Sequence, residues 1–151
     1  MADLPGSVLF ACNFNRVRSP MAEALMKMTF GDRVYVDSVG LKHEEGEDKV
    51  DPFAAAVIDE LGGDLSHFRP KTFDQLEDES FDMVISLTPE AQHRAVEIAR
   101  DYAVEIEYWP IHDPTLVEGS REQRLEAYRE VRDELARRIT DRFGRPSTFG
   151  G

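Results

Sequence analysis

The stretch Val8-Leu9-Phe10-Ala11-Cys12-Asn13-Phe14-Asn15-Arg16-Val17-Arg18-Ser19-Pro20 decides how the chain is read. Residues 8–11 are continuously apolar, as in a strand buried on both faces. Ser19 is a good N-cap, and Pro20 suits the first helical position, where a missing N–H costs nothing. Residues 21–28 then supply strong helix formers. A polar loop therefore joins a buried strand to a helix N-terminus. Such a place gathers unpaired backbone N–H groups at the positive end of a helix dipole, and so favours an anion.

The chain sets a thiol at the start of this loop and a guanidinium at its end. N–H dipoles and a nearby cation favour the thiolate, which is the reactive form of Cys12. Arg18 adds a planar fork for two oxygens of a phosphate-like group. The Cys-x5-Arg-Ser spacing lets the backbone of Asn13, Phe14, Asn15, Arg16, Val17 and Arg18 wrap three equatorial oxygens while the sulfur lies beneath the phosphorus. Asn15 tolerates the left-handed backbone angles that curl N–H groups inward. The bare spacing is a weak signal, and its competitor is a buried, inert cysteine beside two surface arginines. The preceding strand and the following Ser-Pro and helix favour the anion loop.

Outward from that loop, residues 34–36 read as a second strand that leaves through Asp37-Ser38-Val39-Gly40. Residues 41–50 read as an acidic exposed loop, and His43 within it has no metal-ligand spacing around it. Asp51-Pro52 looks like a cap opening a helix with Phe53, Val57 and Leu61 on one face, stopped by Gly62-Gly63. Thr72 caps a short helix through Leu76. Residues 81–87 form a third strand, and Thr88-Pro89 starts a helix to about Arg100 with Ala91, Ala95 and Ile98 inward. Residues 104–109 alternate apolar and acidic, as an edge strand does. Ser120 with Gln123 makes a capping box. The helix it opens carries Leu125, Tyr128, Val131, Leu135 and Ile139 inward and a charged, solvated face outward.

Strands alternating with helices predict an α/β fold, a single-domain doubly wound sandwich whose four-stranded parallel sheet has helices on both faces. Ligands of such sheets bind beyond the C-terminal strand ends. Cys12, Ser38 and Asp113 all follow strands and so share one rim. Asp113-Pro114 is also an ordinary turn-starting pair. On pattern alone the turn reading wins, although a carboxyl held near a phosphate can give the proton that a leaving oxygen needs.

Cys12-Asn13-Phe14-Asn15-Arg16-Val17-Arg18-Ser19-Pro20 with Met21-Ala22-Glu23-Ala24 resembles the signature of the low-molecular-weight protein tyrosine phosphatases, whose loop the thioredoxin-coupled arsenate reductases share. The resemblance runs on through Asp37-Ser38-Val39-Gly40, Leu65-Ser66-His67 and Asp113-Pro114. It implies Cys12 as nucleophile, Arg18 as oxyanion holder and Asp113 as general acid. It further implies support of the loop by Asn15, Ser19, Ser38 and His67, with His67 bonded to Asn15. No metal or cofactor is implied. The expected activity is phosphomonoester hydrolysis through a phosphocysteine. The alternatives are arsenate reduction with an external thiol, since the chain has a single cysteine, and a non-catalytic phosphate-binding regulator. Family members carry aromatics after Asp-Pro, where Thr115 and Leu116 stand here, and often a second cysteine where Val17 stands.

At 151 residues the chain fits one domain, 1–151, with 144–151 a loose tail. Charged residues at 32% and hydrophobic ones at 41% fit a globular protein. A net charge of -12 argues against nucleic acid or an anionic membrane as a partner. It also sets a local anion site against a repulsive global field. No secretion signal or membrane span is read at the N-terminus, and a lone cysteine suits a reducing cytoplasm. The expected partners are a phosphorylated protein or a small phosphoester, and the expected state is a monomer or weak dimer.

Overall fold

The computed structural model describes residues 4–77 and 80–144. The sheet is four-stranded and parallel in the order β2-β1-β3-β4, with β1 at Ser7–Cys12, β2 at Tyr35–Gly40, β3 at Met83–Ser86 and β4 at Glu105–Tyr108. The helices are α1 (Arg18–Phe30), α2 (Pro52–Asp59), α3 (Pro89–Ala99) and α4 (Arg121–Phe143). Helices cover both sheet faces, as the alternation predicts.

β1 explains the layering. Its side chains alternate across the sheet. Val8, Phe10 and Cys12 enter a large apolar cluster with Met21 and Leu25 of α1, Val57 of α2 and Tyr128, Val131 and Leu135 of α4. Leu9 and Ala11 enter a smaller one with Ala91 and Ala95 of α3. The continuous apolar run is thus a central strand buried on both sides. At the outer edge, β4 presents Glu105 and Glu107, which Arg142 of α4 holds.

Several local readings meet a different outcome. Ser19 is not the cap of α1. That helix opens two residues earlier, after Val17, without a side-chain cap, because the Ser19 hydroxyl is drawn into a buried network. β2 runs on through Asp37-Ser38-Val39-Gly40, which pair with residues 9–12 of β1. Leu61 is 47% exposed, since α2 stops at Asp59 and Leu61 lies in the turn beyond. The outer face of α4 is not wholly solvated. Arg132 is buried and donates to the Val57 carbonyl at 2.8 Å and to Glu60, pinning the end of α2. The caps at Asp51, Thr72, Thr88 and Ser120 form where they are read. Of the tail, residues 145–151 lie outside those described.

Candidate active site

β1 ends on Cys12, and residues 13–17 then curl into α1. Asn15 has φ 59°, the only positive φ at a non-glycine position among the described residues. The loop's carbonyls are spent outward. The Leu41 N–H donates to the Cys12 and Asn13 carbonyls at 3.1 and 2.8 Å, and the Asp51 N–H donates to the Arg16 carbonyl at 2.9 Å. Among the described residues, no backbone N–H of residues 13–17 donates to a protein acceptor. This run of five donors without a protein acceptor lies at the cavity that Phe14, Arg16 and Val17 line, and such a run suits an anion. Gly40 is what lets the loop lie this close. A Cβ there would sit 2.6 Å from the Phe14 carbonyl carbon and 2.7 Å from the Asn15 nitrogen.

Cys12 is 3% exposed, and that small area belongs to a cavity of about 210 Å³ shared with Phe14, Arg18, Asp113, Arg124 and Tyr128. Arg18 is held by its bond to the Ile111 carbonyl at 2.8 Å. Its other amino group lies 4.0 Å from Asp113 Oδ2. Asp113 does both things its sequence context allows. Oδ1 accepts from the Thr115 N–H and hydroxyl at 2.9 and 2.6 Å and so makes the turn. Oδ2 is left on the Arg18 side. The Arg16 side chain turns away to Glu44, Glu47 and the Lys49 carbonyl. Only its backbone therefore remains for an anion.

Beneath the sulfur lies a buried polar chain. Cys12 Sγ is 2.9 Å from Ser19 Oγ. Asn15 Nδ2 donates to Ser19 Oγ at 2.8 Å and to Ser38 Oγ at 3.0 Å. Ser38 donates to Glu23 Oε1 at 2.6 Å. Both ends fix its polarity. The Lys71 N–H can only donate, so it takes Asn15 Oδ1, at 2.9 Å, and assigns both amide hydrogens to the serines. The Glu23 carboxylate accepts, so Ser38 must donate to it. Ser19 consequently accepts from Asn15 and keeps its own hydrogen for the sulfur or for the more distant Val39 carbonyl, at 3.3 Å.

His67 is not part of this network. Leu65 and Phe68 point into the core three residues apart, and the turn between them sends His67 outward to solvent. The backbone of Lys71 does what was expected of that histidine. His67 instead lines a separate cleft of about 700 Å³ between α1 and residues 63–71, which Cys12 does not line.

Other contributors went unread. Glu23 is a lone acid within the apolar start of α1, and that oddity was the signal for it. Thr88 caps α3 and also donates to Asn13 Oδ1 at 2.8 Å. Asp51 caps α2 and accepts from the Tyr128 hydroxyl at 3.0 Å. Burial first, then the Asp51 charge, push the Tyr128 phenol well above its ordinary value. Among the described residues no group of three His, Cys, Asp or Glu could hold a metal, and no helix is long and apolar enough to cross a membrane.

The pattern of the low molecular weight phosphotyrosine protein phosphatases matches residues 7–144. An arsenate reductase of Halalkalibacterium halodurans is 33% identical over 132 residues, which is 87% of this chain and 91% of that protein. A low molecular weight protein tyrosine phosphatase from T. tengcongensis superposes with a TM-score of 0.71 at 26% identity, covering 88% of this chain and 94% of that one. An arsenate reductase in a phosphate binding state superposes with a TM-score of 0.67 at 28% identity, covering 89% and 94%.

Proposed function

The chain belongs to the low molecular weight phosphotyrosine protein phosphatase family, and from that premise we propose that it hydrolyses phosphomonoesters through a phosphocysteine. One observation carries the reading: Cys12, Arg18 and Asp113 line one cavity beside a loop of uncommitted N–H donors. The Cys12 thiolate attacks phosphorus in line, an S–P bond forms, and the ester P–O bond breaks. The N–H groups of residues 13–18 and the Arg18 fork hold the equatorial oxygens as charge develops on them. Asp113, protonated, gives its proton to the leaving oxygen. Water then attacks the phosphocysteine, its proton passes to Asp113, and the S–P bond breaks to release phosphate. Ser19 turns its hydroxyl toward the sulfur, and Asn15 and Ser38 hold Ser19 in that orientation. No metal or other cofactor takes part in these steps.

The substrate is a phosphorylated protein or a small phosphoester in the cytoplasm, met by a monomer or weak dimer. The turn after Asp-Pro brings no aromatic wall, for Leu116 is 77% exposed there. Phe14 and Tyr128 line the cavity in its place.

The deciding experiment is turnover of p-nitrophenyl phosphate with trapping of a phosphorylated Cys12. Cys12→Ser abolishes turnover and still binds vanadate; retained turnover rules out the nucleophile. A second reading has support from the relatives named arsenate reductases. In it Cys12 bonds arsenic with loss of water. An external thiol then takes Cys12 into a mixed disulfide as arsenic(V) becomes arsenic(III), and a further thiol frees the enzyme. Arsenate-dependent thiol consumption without ester hydrolysis selects that reading. Phosphate binding without either reaction selects a regulator.

A further inference from the structure

Nearly every charged side chain of the active-site cavity has its counterpart. Arg16 is paired with Glu44 at 2.7 Å, and Arg18 faces Asp113 and the Ile111 carbonyl. Asp51 accepts from the Tyr128 hydroxyl and from the first amides of α2. Arg124 is the exception. It lines the same cavity, and among the described residues it forms no ion pair. This stands out in a chain with 30 acidic and 18 basic side chains. One and two turns further along α4, Arg129 and Arg132 engage Glu60, Glu122, Glu126 and Asp133.

Arg124 is nevertheless held in place. Its guanidinium carbon lies 4.6 Å from the centre of the Phe53 ring, and that of Arg121 lies 5.5 Å from the same ring. Phe53 in turn meets Tyr128 of the cavity wall edge-on at 5.4 Å. Stacking on an aromatic face leaves the N–H edge of a guanidinium free to bind oxygen. Arg124 at the cavity, with Arg121 behind it on the same ring, also supplies local attraction in a protein whose overall charge repels anions.

We propose that Arg124, with Arg121 beside it on the Phe53 ring, reads a second anionic group on the substrate, a carboxylate or phosphate next to the scissile phosphomonoester. The proposal rests on the phosphatase reading and names the substrate class within it. Phosphate in the cradle takes the backbone N–H groups and Arg18. The neighbouring anion takes Arg124.

The test compares kcat/KM for paired phosphotyrosine peptides whose flanking residues are Glu or Gln, together with a small bisphosphate and its monophosphate counterpart, at low and high salt. The wild type favours the more anionic member by about five- to tenfold through KM, and salt shrinks the ratio. Arg124→Gln removes the preference, Arg124→Lys restores part of it, and Arg124→Glu inverts it toward the Gln-flanked peptides. A preference confined to the peptides places the anion on a protein, and one confined to the bisphosphate places it on a small ester. Equal ratios in the wild type overturn the proposal, as does a preference that survives in Arg124→Gln. If p-nitrophenyl phosphate is not turned over, the phosphatase reading has failed. The inference is then read from calorimetric binding of the Glu and Gln peptides to the wild-type chain, where equal affinities overturn it. Should Arg124→Gln not fold, the Arg124→Lys ratio against wild type decides.

Discussion

The cavity has a floor and a rim, and they are built in opposite ways. The floor, comprising Asn15, Ser19, Ser38 and Glu23, is at most 8% exposed, and its members are joined by bonds spanning up to 23 residues. The rim at Asp113 is a local turn in which the carboxylate binds Thr115 two residues away, and its side chain is 33% exposed. A desolvated chain of hydrogen bonds holds one fixed polarity, because every broken bond leaves a buried group unsatisfied. An exposed turn costs little to rearrange. The floor is thus suited to a task common to every substrate, the state of the sulfur. Under the proposed phosphatase reading, the rim is suited to the part that varies, the leaving group and whatever is attached to it.

This contrast can be broken by experiment. The largest expected effect is at the rim. Asp113→Asn slows release of poor leaving groups about 10²- to 10³-fold and good ones far less, read as the slope of rate against leaving-group pKa; equal slowing removes the distinction. Next is Gly40→Ala. Its added methyl meets backbone of residues 13–15 that cannot step aside, so the cradle shifts and kcat falls about 10²-fold for all esters alike. A smaller loss is expected from Glu23→Gln, which keeps the shape but frees Ser38 to bond either way. We expect kcat to fall about tenfold, independent of leaving group, with vanadate affinity within twofold of wild type because the cradle is untouched. Smallest is Tyr128→Phe, which removes the bond from α4 to Asp51 at the start of α2, whose own N–H holds the Arg16 carbonyl of the loop. Because the folded phenol holds its proton more tightly than a free one, its contribution is full below about pH 10 and fades as pH rises further. The variant loses about 1 kcal/mol at neutral pH, and its unfolding becomes less sensitive to alkali, both visible in denaturant titrations.

Much of this was legible beforehand. The order of strands and helices, four of the caps and the loop from Cys12 to Arg18 follow from local rules acting on nearby residues. The inward stripe of α4 was equally plain, since Leu125, Tyr128, Val131, Leu135 and Ile139 are all buried. What escaped depends on distant partners. Ser19 has the chemistry of a cap and is claimed by Cys12 and Asn15 instead. His67 lies one step from the inward-facing Phe68, and no pattern within that loop fixes the register. Thr88 and Tyr128 carry no local mark of what they hold, because their partners are 75 and 77 residues away.

Those separations bear on how the molecule comes into being. Arg18 is anchored by the Ile111 carbonyl 93 residues later, and Asn13 by Thr88 75 residues later. The thiol leaves the ribosome early, but the groups that aim its guanidinium and cap its loop leave late, and α4 with Tyr128 and Arg124 later still. Contacts of such long range close slowly. A nascent chain halted before residue 111 therefore carries the sulfur without the carbonyl that aims Arg18, and the cavity gains its Arg124 and Tyr128 wall only once the last helix has docked.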